Sequence, residues 1–319
     1  MKPFKSIDEQ IEILKERGLI IDDYEFAKKY LLHNNYYNVI NAHSHFIYKN
    51  NNNNFIDNLT FKEIVAIHYF DKEVKSILFK HLLDSEKRFK SIVAYKFSEK
   101  YGSNDYPYLN VNNYNPKSIF EVTSTIAKIS QIIQRKKSKP GNSISHYFQI
   151  YDNIPFWIIT NELTFGQTLH LYDHFDISLR NSIAKEFSLI LEDNLEVEGV
   201  RITPDDLYTT LNNLLEIRNI LAHNNLMYYF KCRKNIPYIT ELHNLFDMKH
   251  DSPKNAVYDV FLALYCTLSY NQYVELHNTI RKRARTLNRN LVVIDANVVM
   301  NSLGFPDDWF NCPAKPTRN

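Results

Sequence analysis

The chain has 319 residues, 44% hydrophobic and 23% charged, which excludes a disordered chain because its apolar content can offset the entropy of ordering. Only six glycines, with no GxGxxG and no GxxxxGK before Ser or Thr, argue against a many-turned sheet fold, a dinucleotide-binding turn and a P-loop. The formal charge is +2, from 38 Lys and Arg against 36 Asp and Glu, so only a local basic patch could argue for a nucleic-acid partner.

Helical periodicity runs nearly throughout. Ile7, Ile11 and Leu14 are spaced four and three apart over residues 7–17, Ser6 and Glu9 form a capping-box pattern, and Gly18 suits the helix stop. A second helix is expected from Asp23 to about His33, with Tyr24, Ala27, Tyr30 and Leu31 inward; a short element follows from Tyr36 to Tyr48. Asn50 to Asn54 reads as a surface loop. Residues 60–100 form one or two long helices, opened by Thr60 and Glu63, with Ile64, Ile67, Val74, Leu78, Leu82, Phe89 and Val93 in the apolar stripe. The Asn-, Tyr- and Pro-rich stretch Gly102 to Pro116 is a loop and a candidate domain boundary. Helices follow over 117–136, 143–151, 156–163, 167–175 and 180–191. Pro204 opens a long helix to about residue 229, and another runs over 255–287. Residues 291–312 are a small apolar appendage.

Cys232, Cys266 and Cys312 are dispersed and form no CxxC pair, which predicts a reducing, cytoplasmic setting. The opening MKPFKSIDEQ is too polar for a signal peptide, and the longest apolar stretch, Val257 to Leu268, is too short for a membrane span.

The chemistry concentrates in Glu216-Ile217-Arg218-Asn219-Ile220-Leu221-Ala222-His223-Asn224. Asn219 and His223 are four apart and share a helix face; Arg218 can reach the same rim, and Ala222 leaves the approach open. Arg offers a fork of donors to a phosphate, His titrates near neutrality, and Asn can orient either. RNA supplies its own nucleophile, the 2′-OH, so such a set can cleave RNA without a metal and leave a 2′,3′-cyclic phosphate. One His per chain provides a single acid–base group, and no second RNxxxH occurs, which calls for a homodimer. As composition alone, the same residues more often describe a solvated helix edge or a satisfied core histidine.

The string RN-x-x-AH at 218–223 resembles the signature of the HEPN superfamily, whose nucleases use Arg and His with four to six residues between them. Gln10 to Phe46 resembles the opening of Abi-like abortive-infection proteins of the AbiD/AbiF type, as do Phe61 through Asp71 and the Glu86 to Gly102 run. Pro155-Phe156-Trp157 with Glu162 to Gly166, and Gly304-Phe305-Pro306 with Trp309, resemble two further elements of that family. The resemblance implies an all-α fold, a HEPN-type bundle with an added N-terminal helical part and a small C-terminal appendage. On that basis residues 1–103 are the N-terminal part, 117–290 the bundle and 291–319 the tail. It implies an anti-phage toxin that cleaves RNA, with Arg218, Asn219 and His223 as catalytic residues and no metal or cofactor. RNA is the expected partner, as substrate and as a small regulatory RNA. The family often continues the histidine with His-Ser-Arg, whereas this chain has Asn224-Asn225-Leu226; a basic group is therefore missing there, which bears on substrate affinity.

Two basic clusters are candidate phosphate contacts: Arg135, Lys136, Lys137 and Lys139, and Arg281, Lys282, Arg283 and Arg285, with Arg289 beyond. Either could equally be a solvated face. The 22 tyrosines could stack on unpaired bases, although Tyr36, Tyr37, Trp157 and Phe165 read as packing residues. His170 and His174 flank Asp173 but lack a third ligand, and His43 and His45 diverge on a helix; both pairs read as structural. Glu86 and Arg88 could pair with each other. The alternative to a nuclease is a non-catalytic RNA-binding protein or ribonucleoprotein component.

Overall fold

A computed structural model describes residues 3–49 and 53–318. Asn50–Asn52 of the asparagine tract lie outside the described residues. The fold is all-α, with isolated bridges but no sheet among the described residues. In chain order, the helices are α1 (Ile7–Glu16), α2 (Tyr24–Asn34), α3 (Tyr36–Val39), α4 (Ser44–Ile47) and α5 (Phe61–Tyr101). There follow α6 (Ile119–Lys136), α7 (Ser143–Tyr151), α8 (Phe156–Glu162), α9 (Phe165–Asp173) and α10 (Ile177–Leu195). The last are α11 (Pro204–Ala222), α12 (Thr240–Asn244), α13 (Val257–Ala263), α14 (Tyr270–Asn290) and α15 (Ala296–Ser302). No helix among the described residues is long and apolar enough to cross a membrane.

Local chemistry sets many of the ends. The Ser6 hydroxyl accepts the Glu9 N–H while the Glu9 carboxylate accepts the Ser6 N–H, a complete capping box. At the other end of α1, Gly18 takes φ +91°; its N–H reaches the Lys15 carbonyl and the Leu19 N–H reaches the Leu14 carbonyl. This is a Schellman stop, for which glycine carries no Cβ penalty. Thr60 and Glu63 cap α5 in the same reciprocal way, and Thr203 with Asp206 caps α11. Asn35 adopts φ 60°, ψ 130°, an unfavourable region for a side-chain-bearing residue, and its Oδ1 accepts the Tyr37 N–H to start α3.

The chain divides into two compact units, and the division falls inside α5, α11 and α14. The first unit takes residues up to Phe79, Ile220–Phe230 and residues from Val274 onward. Its core includes Ile11, Leu14, Ile64, Ile67, Val74, Met227, Val299 and Met300, all nearly inaccessible. Here the buried Glu63 carboxylate accepts the N–H groups of Val292 (2.8 Å) and Val293 (2.7 Å), anchoring the segment after α14. Burial pushes that carboxyl up, but the backbone N–H donors outweigh it and hold it below the ordinary range.

The second unit comprises Lys80–Asn219 and Lys231–Tyr273. Phe89 packs against Phe165, Tyr172 and Phe187, and Phe97 packs against Phe156 and Phe175. Each fully buried phenyl contributes about 2–3 kcal/mol by removal from water. The expected helix over 255–287 is interrupted: α13 ends at Ala263 and α14 begins at Tyr270. Ser269 and Gln272 form a new capping box at the restart. The Asn194 side chain donates to the carbonyls of Tyr265 (2.7 Å) and Leu268 (2.9 Å), groups that a continuous helix would have bonded internally.

Candidate functional site

The helix α11 carries Arg218 and Asn219, with His223 as its C-terminal cap. Leu207, Leu211, Leu214 and Ile217 are fully buried and fix the rotation of the helix. Asn219, Ala222 and His223 are exposed, and Arg218 is partly so. The helix stops seven residues before the expected end. Asn224 takes φ 53°, its N–H reaching the Leu221 carbonyl and the Asn225 N–H reaching the Ile220 carbonyl, both at 3.0 Å. This is again a Schellman stop, with asparagine tolerating the left-handed conformation. The Asn224-Asn225 pair thus places His223 at the last position before the chain turns.

In the second unit, Arg218 is held by Glu86 of α5, with Nε 3.3 Å from the carboxylate Oε2. Its Nη1 donates to Asn219 Oδ1 at 3.3 Å. Glu86 is mostly buried and also receives Lys90 at 2.8 Å; Lys90 donates to the Leu163 carbonyl at 2.6 Å. Glu86 does not pair with Arg88, which donates instead to Gln272 Oε1 at 3.0 Å. A guanidinium has five N–H donors, so the Glu86 and Asn219 contacts leave an edge of Arg218 for another acceptor.

A groove of about 940 Å³ adjoins Glu86 within the second unit, with Lys87, Tyr95 and Trp157 on its walls. Trp157 is 49% exposed, so it is not the packing residue expected; its neighbour Phe156 is the buried one.

The basic clusters divide. Lys136 pairs with Glu162, Lys137 lies over the Phe148 ring, and Arg135 and Lys139 are exposed. In the first unit, Arg281 Nε donates to the Cys312 carbonyl and Arg285 Nε to the Phe310 carbonyl (2.7 Å). Arg283 pairs with Glu73 at 2.7 Å and covers the Tyr69 ring, while Lys282 and Arg289 are exposed. Arg281 and Arg285 therefore fasten the C-terminal segment through their Nε groups.

The His170 and His174 rings meet at 4.4 Å. No group of three or more His, Cys, Asp or Glu among the described residues is placed to hold a metal. Cys232 and Cys266 are buried and free, and burial pushes both thiols up to about 12. His43 lies wholly inside the first unit, edge-on to Tyr228; burial and then the neighbouring His68 and Lys75 lower it to about 3, so it is neutral near pH 7. His45 faces the Tyr229 ring.

Residues 29–229, more than half of the chain, match the family described as Abi-like protein. The chain belongs to the Abi-like family. The matched span of this Abi-like protein includes Arg218, Asn219 and His223. No curated protein and no solved structure matches the chain.

Proposed function

We propose that this Abi-like protein is an abortive-infection toxin that cleaves RNA without a metal, through a HEPN-type site completed in a homodimer. The observation that carries the reading is the exposure of Asn219 and His223, with Arg218 partly exposed, at the last turn of α11 and the residue that follows it. Asn219 and His223 are four residues apart in sequence, the spacing at which neighbours on a helix share a face. His223 accepts or delivers the proton. Arg218, held by Glu86 at its Nε edge, turns its remaining donors to the scissile phosphate. Asn219 orients the guanidinium through its side-chain oxygen.

The chemistry follows from these groups. One imidazole removes the proton of the RNA 2′-OH, whose oxygen attacks the adjacent phosphorus. The bond to the 5′-oxygen breaks, and a second imidazole protonates that leaving group. The products are a 2′,3′-cyclic phosphate and a 5′-hydroxyl. One chain supplies one such imidazole, so the second comes from His223 of another copy. A second reading, an RNA-binding protein restrained by a small structured RNA, is favoured by exposed Arg135, Lys139 and Lys282 and by the aromatic walls of the groove beside Glu86. Cleavage of RNA in EDTA by nucleic-acid-free protein, abolished by His223→Ala in a folded variant, is the outcome expected of the nuclease. A tight, salt-sensitive RNA complex without cleavage, unchanged by His223→Ala, would replace it with the second reading.

A further inference from the structure

A cavity of about 790 Å³ lies within the first unit, at the end of α11. Three stretches of chain converge on it: the α2–α3 turn, the first half of α5, and the residues that follow His223. Its charged lining is two lysines and one aspartate. Lys75 pairs with Asp71 at 2.7 Å, and both side chains are largely buried. Lys72 is exposed and has no ion pair among the described residues. The cavity therefore carries one cation in excess, suited to a singly charged phosphodiester. His68 also lines it, with its Nδ1 2.7 Å from the Tyr30 hydroxyl.

Five asparagines border the same space: Asn34, Asn35 and Asn38 from the α2–α3 region, and Asn224 and Asn225 after α11. Each amide carries an acceptor and two donors, which complement base edges and ribose hydroxyls. Asn34 commits its Nδ2 to the Tyr30 carbonyl, and Asn35 commits its oxygen to the Tyr37 N–H. The side chains of Asn38, Asn224 and Asn225 make no hydrogen bond among the described residues. Tyr37 is not the packing residue expected: it and Leu32 stand on the rim, each 66% exposed. An aromatic face so exposed beside lysine and amides is the arrangement on which an unpaired base stacks. An apolar ligand fits poorly, because Leu32, Ala42 and Leu226 are the only aliphatic residues in the described lining.

We propose that this cavity is a nucleotide-binding site: it takes one unpaired nucleotide, with the phosphate on Lys72 and Lys75, the base against Tyr37 and the polar edges on the asparagines. Because Asn224 directly follows His223, the natural occupant is a nucleotide of the RNA substrate near the scissile bond, an assignment that rests on the nuclease reading. The same chemistry is offered by a free nucleotide, and binding can separate the two sources.

The test uses the full chain, freed of nucleic acid and carrying His223→Ala so that RNA stays intact. The probes are adenosine 5′-monophosphate, uridine 5′-monophosphate, inorganic phosphate and a labelled six-nucleotide single-stranded RNA. One-site saturable binding of a nucleotide probe is expected. Tyr37→Ala weakens it at least about fivefold, the loss of one stacked base. Lys72→Ala weakens it too, and lowers the slope of log affinity against log salt for the hexamer by about 0.7, the signature of one lost phosphate contact. Both residues are exposed, so neither variant endangers folding. Binding of monophosphates as tight as the hexamer identifies a free nucleotide; tighter binding of the hexamer identifies an RNA strand. Inorganic phosphate binding as tightly as the nucleotides, no saturable binding of any probe, or binding unmoved by both substitutions would overturn the proposal. If the His223-intact protein fails to cleave RNA while Tyr37→Ala still weakens binding, the nuclease reading falls and the nucleotide site stands.

Discussion

Glu86→Gln removes the charge that holds Arg218 while keeping the shape of the side chain. The carboxylate lies 3.3 Å from Arg218 Nε and 2.8 Å from Lys90 Nζ, and 11% of the Glu86 side chain is exposed. Arg218 is 28% exposed and Lys90 15%, so both cations keep some water when the carboxylate goes. Lys90 also keeps the Leu163 carbonyl. Stripping the partner from a fully buried ion costs about 3–5 kcal/mol, and a surface pair is worth about 1 kcal/mol or less. The partial access here places the loss at about 2 kcal/mol. With an unfolding entropy near 2.1 cal/mol/K per residue, 319 residues convert this into a Tm lower by about 3 °C. Calorimetry of Glu86→Gln, Arg218→Gln and the double variant reads both the loss and the coupling, expected at about 1 kcal/mol. RNA cleavage should fall with it, because the guanidinium loses the contact that aims it. A Tm within about 0.5 °C of the parent, with no coupling to Arg218, would refute the reasoning.

At the end of α11, Asn224→Ala should destabilise by about 1 kcal/mol and Asn224→Gly should be neutral or better, since only alanine suffers in the left-handed conformation; urea midpoints check both. Glu63 has a folded pKa below its unfolded value, so its contribution is fully present above about pH 4.5 and is lost as pH falls through the folded value. Glu63→Gln should therefore lose stability at pH 7 and differ little from the parent at the acid end of a pH series of urea melts. His43 is neutral when folded and protonates near its ordinary pKa when unfolded. Its contribution is complete above about pH 6.5 and falls toward pH 3 by about 1.4 kcal/mol per pH unit; His43→Phe should flatten that slope in chemical denaturation.

Signals legible in the sequence were those whose cause lies within a turn of chain. Ser6 with Glu9, Thr60 with Glu63, and Pro204 after Thr203 mark helix starts because both halves of each cap are near neighbours. The apolar stripe of α5 is legible for the same reason, and Ile64, Val74, Leu82 and Phe89 are indeed buried. The end of α11 is not legible, because Leu226 and Tyr228 continue an apolar pattern beyond the point where the backbone turns at Asn224. The break before α14 depends on Asn194, some seventy residues away, capturing two carbonyls. Trp157 and Phe156 are indistinguishable as packing candidates in the sequence, and only Phe156 enters the core. At the candidate site, Arg218 and His223 were visible as residue types at a spacing; Glu86, which positions Arg218, was not, because the pairing joins residues 132 positions apart. Likewise, Arg281 and Arg285 read as free basic charge until the carbonyls of Cys312 and Phe310 are seen to take them.

The most direct test of the central claim is to map the ends of RNA fragments produced in EDTA by nucleic-acid-free protein, beside the folded His223→Ala variant. The account predicts 2′,3′-cyclic phosphate and 5′-hydroxyl ends from the parent and no fragments from the variant. Fragments ending in a 5′-phosphate and 3′-hydroxyl, or unchanged cleavage by His223→Ala, would contradict it.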